Sequence, residues 1–510
     1  MDGLIKEDKW GYPVRTSSDA CISAINSYYE QVLSYGRNCK VIMEAVAEDE
    51  DCVLANVLAA VYRKHKPQQS TAHLAAAKAN LDRATSYEKS VYDAVSCSMA
   101  DAADDDAILS SQLELINKYP RNLASLKRAQ VICFYLARPD FSLYLVEQVL
   151  SENKQQPYIY GMLSFPLLEL GRMADAEAAA REGLSINKDD QWSQHALCHV
   201  LQYECRFKEA VEFMESSSAS WNICCSFMIT HNWWHVALCY LDGHLLHKAF
   251  QVYDQHIWQE LDKDDADKAE VCLNALGFML RVDVRGCIDD DDFRLRTLAA
   301  CVSDQSTWCW DWMLDILAIW AFSRTGEFSK AKDLLNAVRS RFHSLTEKKQ
   351  QSMEKAVLLA EALYEYGRGD HFRAFGIIGP KFTAVDYKVI GASDEQLEVF
   401  TEVWYSILLG TGYVSEAISE LEKRVQVQQG VPFLWRLLEK AYLLAGSAHE
   451  EMARQKAQSL EATYFEPNAR WKNAYGIFYF VGIDMDLTAQ RNSTMLLLNT
   501  TYWKRLCTFT

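Results

Sequence analysis

Gly171-Arg-Met-Ala-Asp-Ala-Glu-Ala-Ala-Ala-Arg-Glu-Gly-Leu184, with Asn187-Lys-Asp-Asp190 and the start of a new helix at Trp192 behind it, is the stretch that decides the fold. Its small and apolar residues recur at three- and four-residue spacing, which marks an amphipathic helix. The next unit repeats it. Ala176 returns as Ala210, Leu163 as Leu197 and Leu167 as Leu201, each pair 34 residues apart. A fixed period of that length marks stacked helical hairpins, each needing its neighbour to cover an apolar face.

Outward from this centre the helical period continues. Only 9 prolines and 21 glycines interrupt the 510 residues, so strands are expected nowhere. Gly326, Gly369 and Gly412 are each followed five residues later by Ala331, Ala374 and Ala417, at steps of 43. The glycine ends one helix and the alanine lets the next press against it. Thirty-four residues is the tetratricopeptide length, so the chain is expected to be all-α, a tetratricopeptide-like helical-hairpin superhelix or α-solenoid. Residues 1–15 read as an N-terminal arm anchored by Trp10 and Pro13, and 16–460 as repeats, most regular over 157–257 and 311–425. Residues 461–510 read as a C-terminal capping tail. In such a stack each repeat touches its neighbours and leaves a concave groove free.

With 49% hydrophobic and 12% aromatic residues the chain can bury a large core. Lys and Arg total 52 against 69 Asp and Glu, a formal charge of -17, from which no nucleic-acid partner and no anionic membrane surface are expected. The charged start Met1-Asp-Gly-Leu-Ile-Lys-Glu-Asp is unlike a secretory signal, and no apolar run is long enough to span a bilayer. Fifteen cysteines without a Cys-x-x-Cys pair suit a reducing compartment, so the location is read as cytoplasmic. No phosphate loop, nucleophile elbow, kinase signature or His-Glu-x-x-His motif is present.

The candidate site lies in the central repeats. His195 and His199 fall one turn apart on the groove side of one inner helix, and His231 and His235 do so on the next. Axes roughly 8–10 Å apart would bring four imidazoles together, and an i, i+4 pair can bind one ion from a single helix. Asn232 and Trp234 complete the set of candidate ligand-binding residues, with Glu204, Glu209 and Asp254 as possible orienting groups. The competing reading is packing: Trp192, Trp233, Trp234 and the histidines would fill the groove wall, each ring bonded to a carbonyl or carboxylate. Trp308, Trp310, Trp312 and Trp320, and the pair Cys224-Cys225, read as core.

Asp190-x-Trp192-Ser193-x-His195-x-x-x-His199, Glu212-Phe-Met214, His231-Asn232-x-Trp234-His235-x-Ala237-Leu238 and Tyr253-Asp254-x-His256-Ile257 resemble the tetratricopeptide repeat protein 38 family, as do Trp10, Ser17-Ser18-x-Ala20-Cys21 and Gly161-x-x-Ser164-Phe165. The likeness covers about residues 10–260. It implies an all-helical cytosolic repeat protein and carries no assigned activity. Where family members place further polar groups, this chain has Leu201, Gln202, Asn56, Val91 and Gln130.

Two functions follow. One is an interaction or small-ligand-binding protein holding a peptide segment or polar small molecule in a His/Trp-lined concave groove, with no cofactor required. The other is an enzyme or metal-dependent protein using a four-histidine pocket, with a divalent metal on His195, His199, His231 and His235. A carboxylate clamp is disfavoured, since the wall carries histidine and tryptophan instead of Lys, Arg and Asn.

Overall fold

The computed structural model describes residues 4–100, 104–289 and 292–465. Most of the expected C-terminal cap, with Trp471, Tyr475 and the Phe478–Phe480 aromatics, lies outside the described residues. The chain is an all-α, tetratricopeptide-like superhelix. Its central hairpins are Ile159–Glu169 with Met173–Ile186, Gln191–Tyr203 with Phe207–Ser217, and Ser226–Asp242 with Leu246–Val252.

Local sequence explains these units. Gly171, Gly326, Gly369 and Gly412 take φ of +74° to +83°, the left-handed conformation that closes a helix without a Cβ clash. In the second and third of these central hairpins that role falls to Cys205 (φ 59°) and His244 (φ 64°), at a cost of about 1–2 kcal/mol each. Ala176, Ala210, Ala249, Ala331, Ala374 and Ala417 are all fully buried, so the outer helix of each hairpin presses directly on its inner partner.

One local expectation fails. The arm contains a short antiparallel ladder, Ile5–Glu7 with Pro13–Arg15, where no strand was expected; three residues are too few to show a period of two. Asp8 holds its turn by accepting from the Trp10 and Tyr12 amides, and the Tyr87 hydroxyl donates to the same carboxylate. Helix Pro67–Asn80 begins at its proline, because proline suits the first helical position, where the amide has no partner.

Repeats also meet partners far away in sequence, which the nearest-neighbour picture of a solenoid does not allow. Gly36 bridges Cys224, Arg37 pairs with Glu260, His65 stacks on Trp310 at 5.7 Å, and Lys348 pairs with Asp104 at 2.7 Å. Lys388 reaches Glu169 at 3.1 Å, and the Tyr464 hydroxyl donates to Gly430, itself tight against Cys205. Successive turns of the superhelix therefore touch, and residues of the C-terminal repeats meet those of the central ones. Among the described residues no helix is long and apolar enough to cross a membrane.

Candidate functional site

Helix Gln191–Tyr203 is seated by its N-terminus. Asp190 caps it, accepting from the amides of Trp192 and Ser193 and from the Ser193 hydroxyl at 2.6 Å. Two glycines permit the close approach. A Cβ at Gly161 would fall 2.9 Å from the Ser193 amide, and one at Gly183 would fall 2.3 Å from its hydroxyl. The anchored helix is buried along nearly its whole length, and with it His195 and His199.

The four candidate histidines come together. His195 Nε2 and His199 Nε2 are 3.0 Å apart, and ring centroids in neighbouring pairs are separated by 4.2 to 5.0 Å. One nitrogen from each ring can be chosen so that all four lie within 4.8 Å of one another. The rings are held in place by aromatic faces. Trp192 stacks on His195 at 4.7 Å, and His231 is sandwiched between Phe227 and Trp234 at 5.1 and 5.0 Å.

The Nδ1 atoms of His199, His231 and His235 are engaged by other groups. His231 Nδ1 bonds Asn274 Oδ1 at 2.7 Å, and His235 Nδ1 bonds Gln202 Oε1 at 3.2 Å. Glu395 Oε2 lies 2.8 Å from His199 Nδ1 and 3.2 Å from His235 Nδ1. With Nδ1 turned to oxygen acceptors, Nε2 is left facing the centre, the arrangement by which carboxylates and amides fix metal-ligating imidazoles. Among the described residues, His235 Nε2 has no hydrogen-bond partner, while Asn232 is in hydrogen-bonding contact with His195. Unsatisfied polar atoms in a core are costly.

Nothing local in the sequence marks Glu395. It stands in the first turn of helix Asp394–Gly410, whose N-terminus is fixed by the Ser393/Gln396 capping box. The buried Lys388 ammonium joins Glu169 to Asp394, at 3.1 and 2.9 Å, and so clamps this end of the helix over the histidines. Behind it, the guanidinium of Arg281 donates to the Glu395 carbonyl and lies 5.0 Å from the Trp234 ring. Arg285 bridges Asp242 and Glu402.

Burial sets the protonation. It pushes the imidazoles of His195 and His231 well below the ordinary histidine range, the neighbouring rings adding to the effect. His235 is pushed down to about 4, against the attraction of Glu395. Burial opposes ionisation of Glu395, yet His235 and His199 hold its carboxyl well below the usual carboxylate range. His195, His231 and His235 thus keep lone pairs, with one carboxylate beside them.

The other sequence candidates are elsewhere. Glu204 and Glu209 pair with Arg206, Glu209 on an outer helix, and Asp254 pairs with Arg294; none approaches the cluster as an orienting group. Trp233 stacks on His256 at 3.8 Å. Trp320 and Trp312 are core, whereas Trp310 is exposed and stacked on His65. Gln202 and Asn274 left a usable signal, being polar residues on otherwise apolar helical faces.

No protein-family model matches the chain. Among solved structures it is similar to a human IFIT1 dimer with m7Gppp-AAAA, at 13% identity over 88% of this chain and 92% of that one, TM-score 0.37. It is similar also to a human IFIT1 dimer with PPP-AAAA, at 13% identity over 86% and 94%, TM-score 0.38. These matches correct the exclusion of nucleic acid drawn from net charge, since similar helical chains are found with oligonucleotides. Total charge sums the whole surface, whereas binding is decided by local potential.

Proposed function

We propose that this protein is a metal-binding tetratricopeptide-like solenoid in which His195, His199, His231 and His235 hold one first-row transition-metal ion, with Glu395, Gln202 and Asn274 orienting the rings. The observation that carries this reading is the convergence of four buried imidazoles whose nitrogens lie within 4.8 Å of one another. In a tetrahedral zinc site, with bonds of about 2.0–2.1 Å, ligand nitrogens are roughly 3.3 Å apart. The His195 to His199 separation of 3.0 Å is already close to that. An imidazole set without thiolate suits zinc, copper, iron or nickel. Glu395 would offset one unit of the ion's charge.

Burial also says what the ion would do. With the rings in mutual contact and helix Asp394–Gly410 above them, a bulky substrate has no place beside the ion. Its role is to tie helix Gln191–Tyr203 to helix Ser226–Asp242 and to hold both against the C-terminal repeats through Glu395. Membership of the tetratricopeptide repeat protein 38 family and a cytoplasmic location belong to the same reading, supported by the central motif from Asp190 to Ile257 and by the free thiols of the described cysteines.

The test is reconstitution of chelator-treated, full-length protein with Zn²⁺, Co²⁺, Ni²⁺ or Cu²⁺, read by elemental analysis and, for cobalt, by visible absorption. One equivalent retained through gel filtration, and lost in His195→Ala and His231→Ala, is expected. If no ion is retained, or if both variants retain it, the proposal fails.

A further inference from the structure

Among the described residues three pairs of thiols face each other, and one of them is open to solvent. Cys21 with Cys52 and Cys198 with Cys239 are in hydrogen-bonding contact, all four side chains being fully buried. In the third pair, Cys272 Sγ lies 3.2 Å from Cys301 Sγ. Cys272 is buried on helix Lys268–Val284, while Cys301 is only partly buried at the end of helix Phe293–Cys301.

We propose that Cys272 and Cys301 form a reversible dithiol oxidation site, with Cys301 the sulfur that attacks a solvent-borne oxidant and Cys272 the one that resolves it. The geometry supplies both requirements: an accessible nucleophile, and a second sulfur a short step from the roughly 2.05 Å of a disulfide. Electrostatics agree. The hydrogen bond from Cys272 brings the Cys301 thiol down to about 7, with Lys268 helping and burial opposing. That places a substantial fraction as thiolate near neutral pH, although a helix C-terminus is an unfavourable place for negative charge. Cys272 is driven the other way, by the same bond and by burial, so it keeps its proton until Cys301 has reacted.

With a hydroperoxide as oxidant the steps balance. The Cys301 thiolate attacks one peroxide oxygen, the O–O bond breaks, and the departing alkoxide or hydroxide takes a proton to leave as alcohol or water. Cys301 is then a sulfenic acid. The Cys272 sulfur displaces its hydroxyl, giving the Cys272–Cys301 disulfide and a second water, the Cys272 proton leaving with it. A thiol reductant reverses the oxidation by exchange. The disulfide would tie helix Phe293–Cys301 to helix Lys268–Val284.

The experiment treats folded, full-length protein with hydrogen peroxide and, separately, with oxidised glutathione, then blocks free thiols and digests without reductant. The expected product is a tryptic peptide 269–281 linked to 297–324 through Cys272 and Cys301, removed by dithiothreitol, while Cys198 and Cys239 are recovered as thiols. In the untreated protein Cys301 should be alkylated roughly tenfold faster than Cys272. In Cys272→Ser, dimedone should trap the sulfenic acid on Cys301. The proposal is overturned if no linked peptide forms, if the buried pairs oxidise as fast, or if dimedone adds to Cys272 in Cys301→Ser but not to Cys301 in Cys272→Ser.

Discussion

Glu395 Oε2 stands 2.8 Å from His199 Nδ1, and the two residues belong to different turns of the superhelix. The contact joins the closure of the fold to the condition of the imidazole cluster, because the same carboxylate lies 3.2 Å from His235. Glu395→Gln keeps the shape and removes the charge. Loss of such an orienting carboxylate commonly weakens metal binding about 10- to 100-fold. Zinc affinity, measured by competition with a chromophoric chelator, should fall by that range while stoichiometry is kept. Unchanged affinity would show that Glu395 merely covers the cluster.

Lys127 gives a pH dependence with a definite sign. Its buried ammonium lies 4.2 Å from the Tyr35 ring and 4.0 Å from that of Trp192. Rings favour the cation, but burial outweighs them and Asp190 together, and pushes the pKa from 10.5 down to about 7. Between those values the unfolded chain binds a proton that the native chain does not, so this group makes stability rise with pH across the window. Its contribution approaches about 1.4 kcal/mol per pH unit. Urea unfolding of Lys127→Met should show a flatter slope than the parent from about pH 7.5 to 9.5. Parallel slopes in the two proteins would mean that Lys127 stays charged in the fold.

Gly183 should accept no larger residue. A Cβ there would fall 2.3 Å from the Ser193 hydroxyl, which cannot simply turn aside because it is bonded to Asp190 at 2.6 Å. Gly183→Ala therefore displaces the start of the helix that carries His195 and His199. Overpacking of this kind costs about 1–3 kcal/mol, even though alanine is the better helix former by about 1 kcal/mol. Thermal unfolding should show a lower Tm. A raised Tm would mean that Ser193 leaves its cap bond without penalty.

The hairpins and the histidine pairs were legible because both are local. Ala176 and Ala210 share an offset, and His195 and His199 share a helix face, so neither requires knowledge of the superhelix. The coming together of the two histidine pairs follows from adjacent helices and was legible for the same reason. The role of Glu395 was not, since which residue meets His199 from another turn depends on many small rotations between successive hairpins. Glu204, Glu209 and Asp254 looked plausible only through nearness in sequence. Residues 5–15 failed differently, the strands being too short to display a pattern.

The clamp under helix Asp394–Gly410 offers the sharpest test of closure. Lys388 lies 3.1 Å from Glu169, both side chains nearly buried, and 2.9 Å from the better exposed Asp394. Removing one partner leaves the other charge in a poorly solvated place, which typically costs about 3–5 kcal/mol, whereas replacing both with apolar groups of similar size is often neutral. Lys388→Met should therefore destabilise the chain strongly, and Lys388→Met with Glu169→Leu should recover most of the loss. The clamp also sets the position of Glu395, so Lys388→Met should lower zinc affinity in the same experiment that shows its lower stability. If the single and double variants lose stability additively, the pair is not coupled and the helix is held over the histidines by Leu397, Phe400 and their apolar neighbours alone.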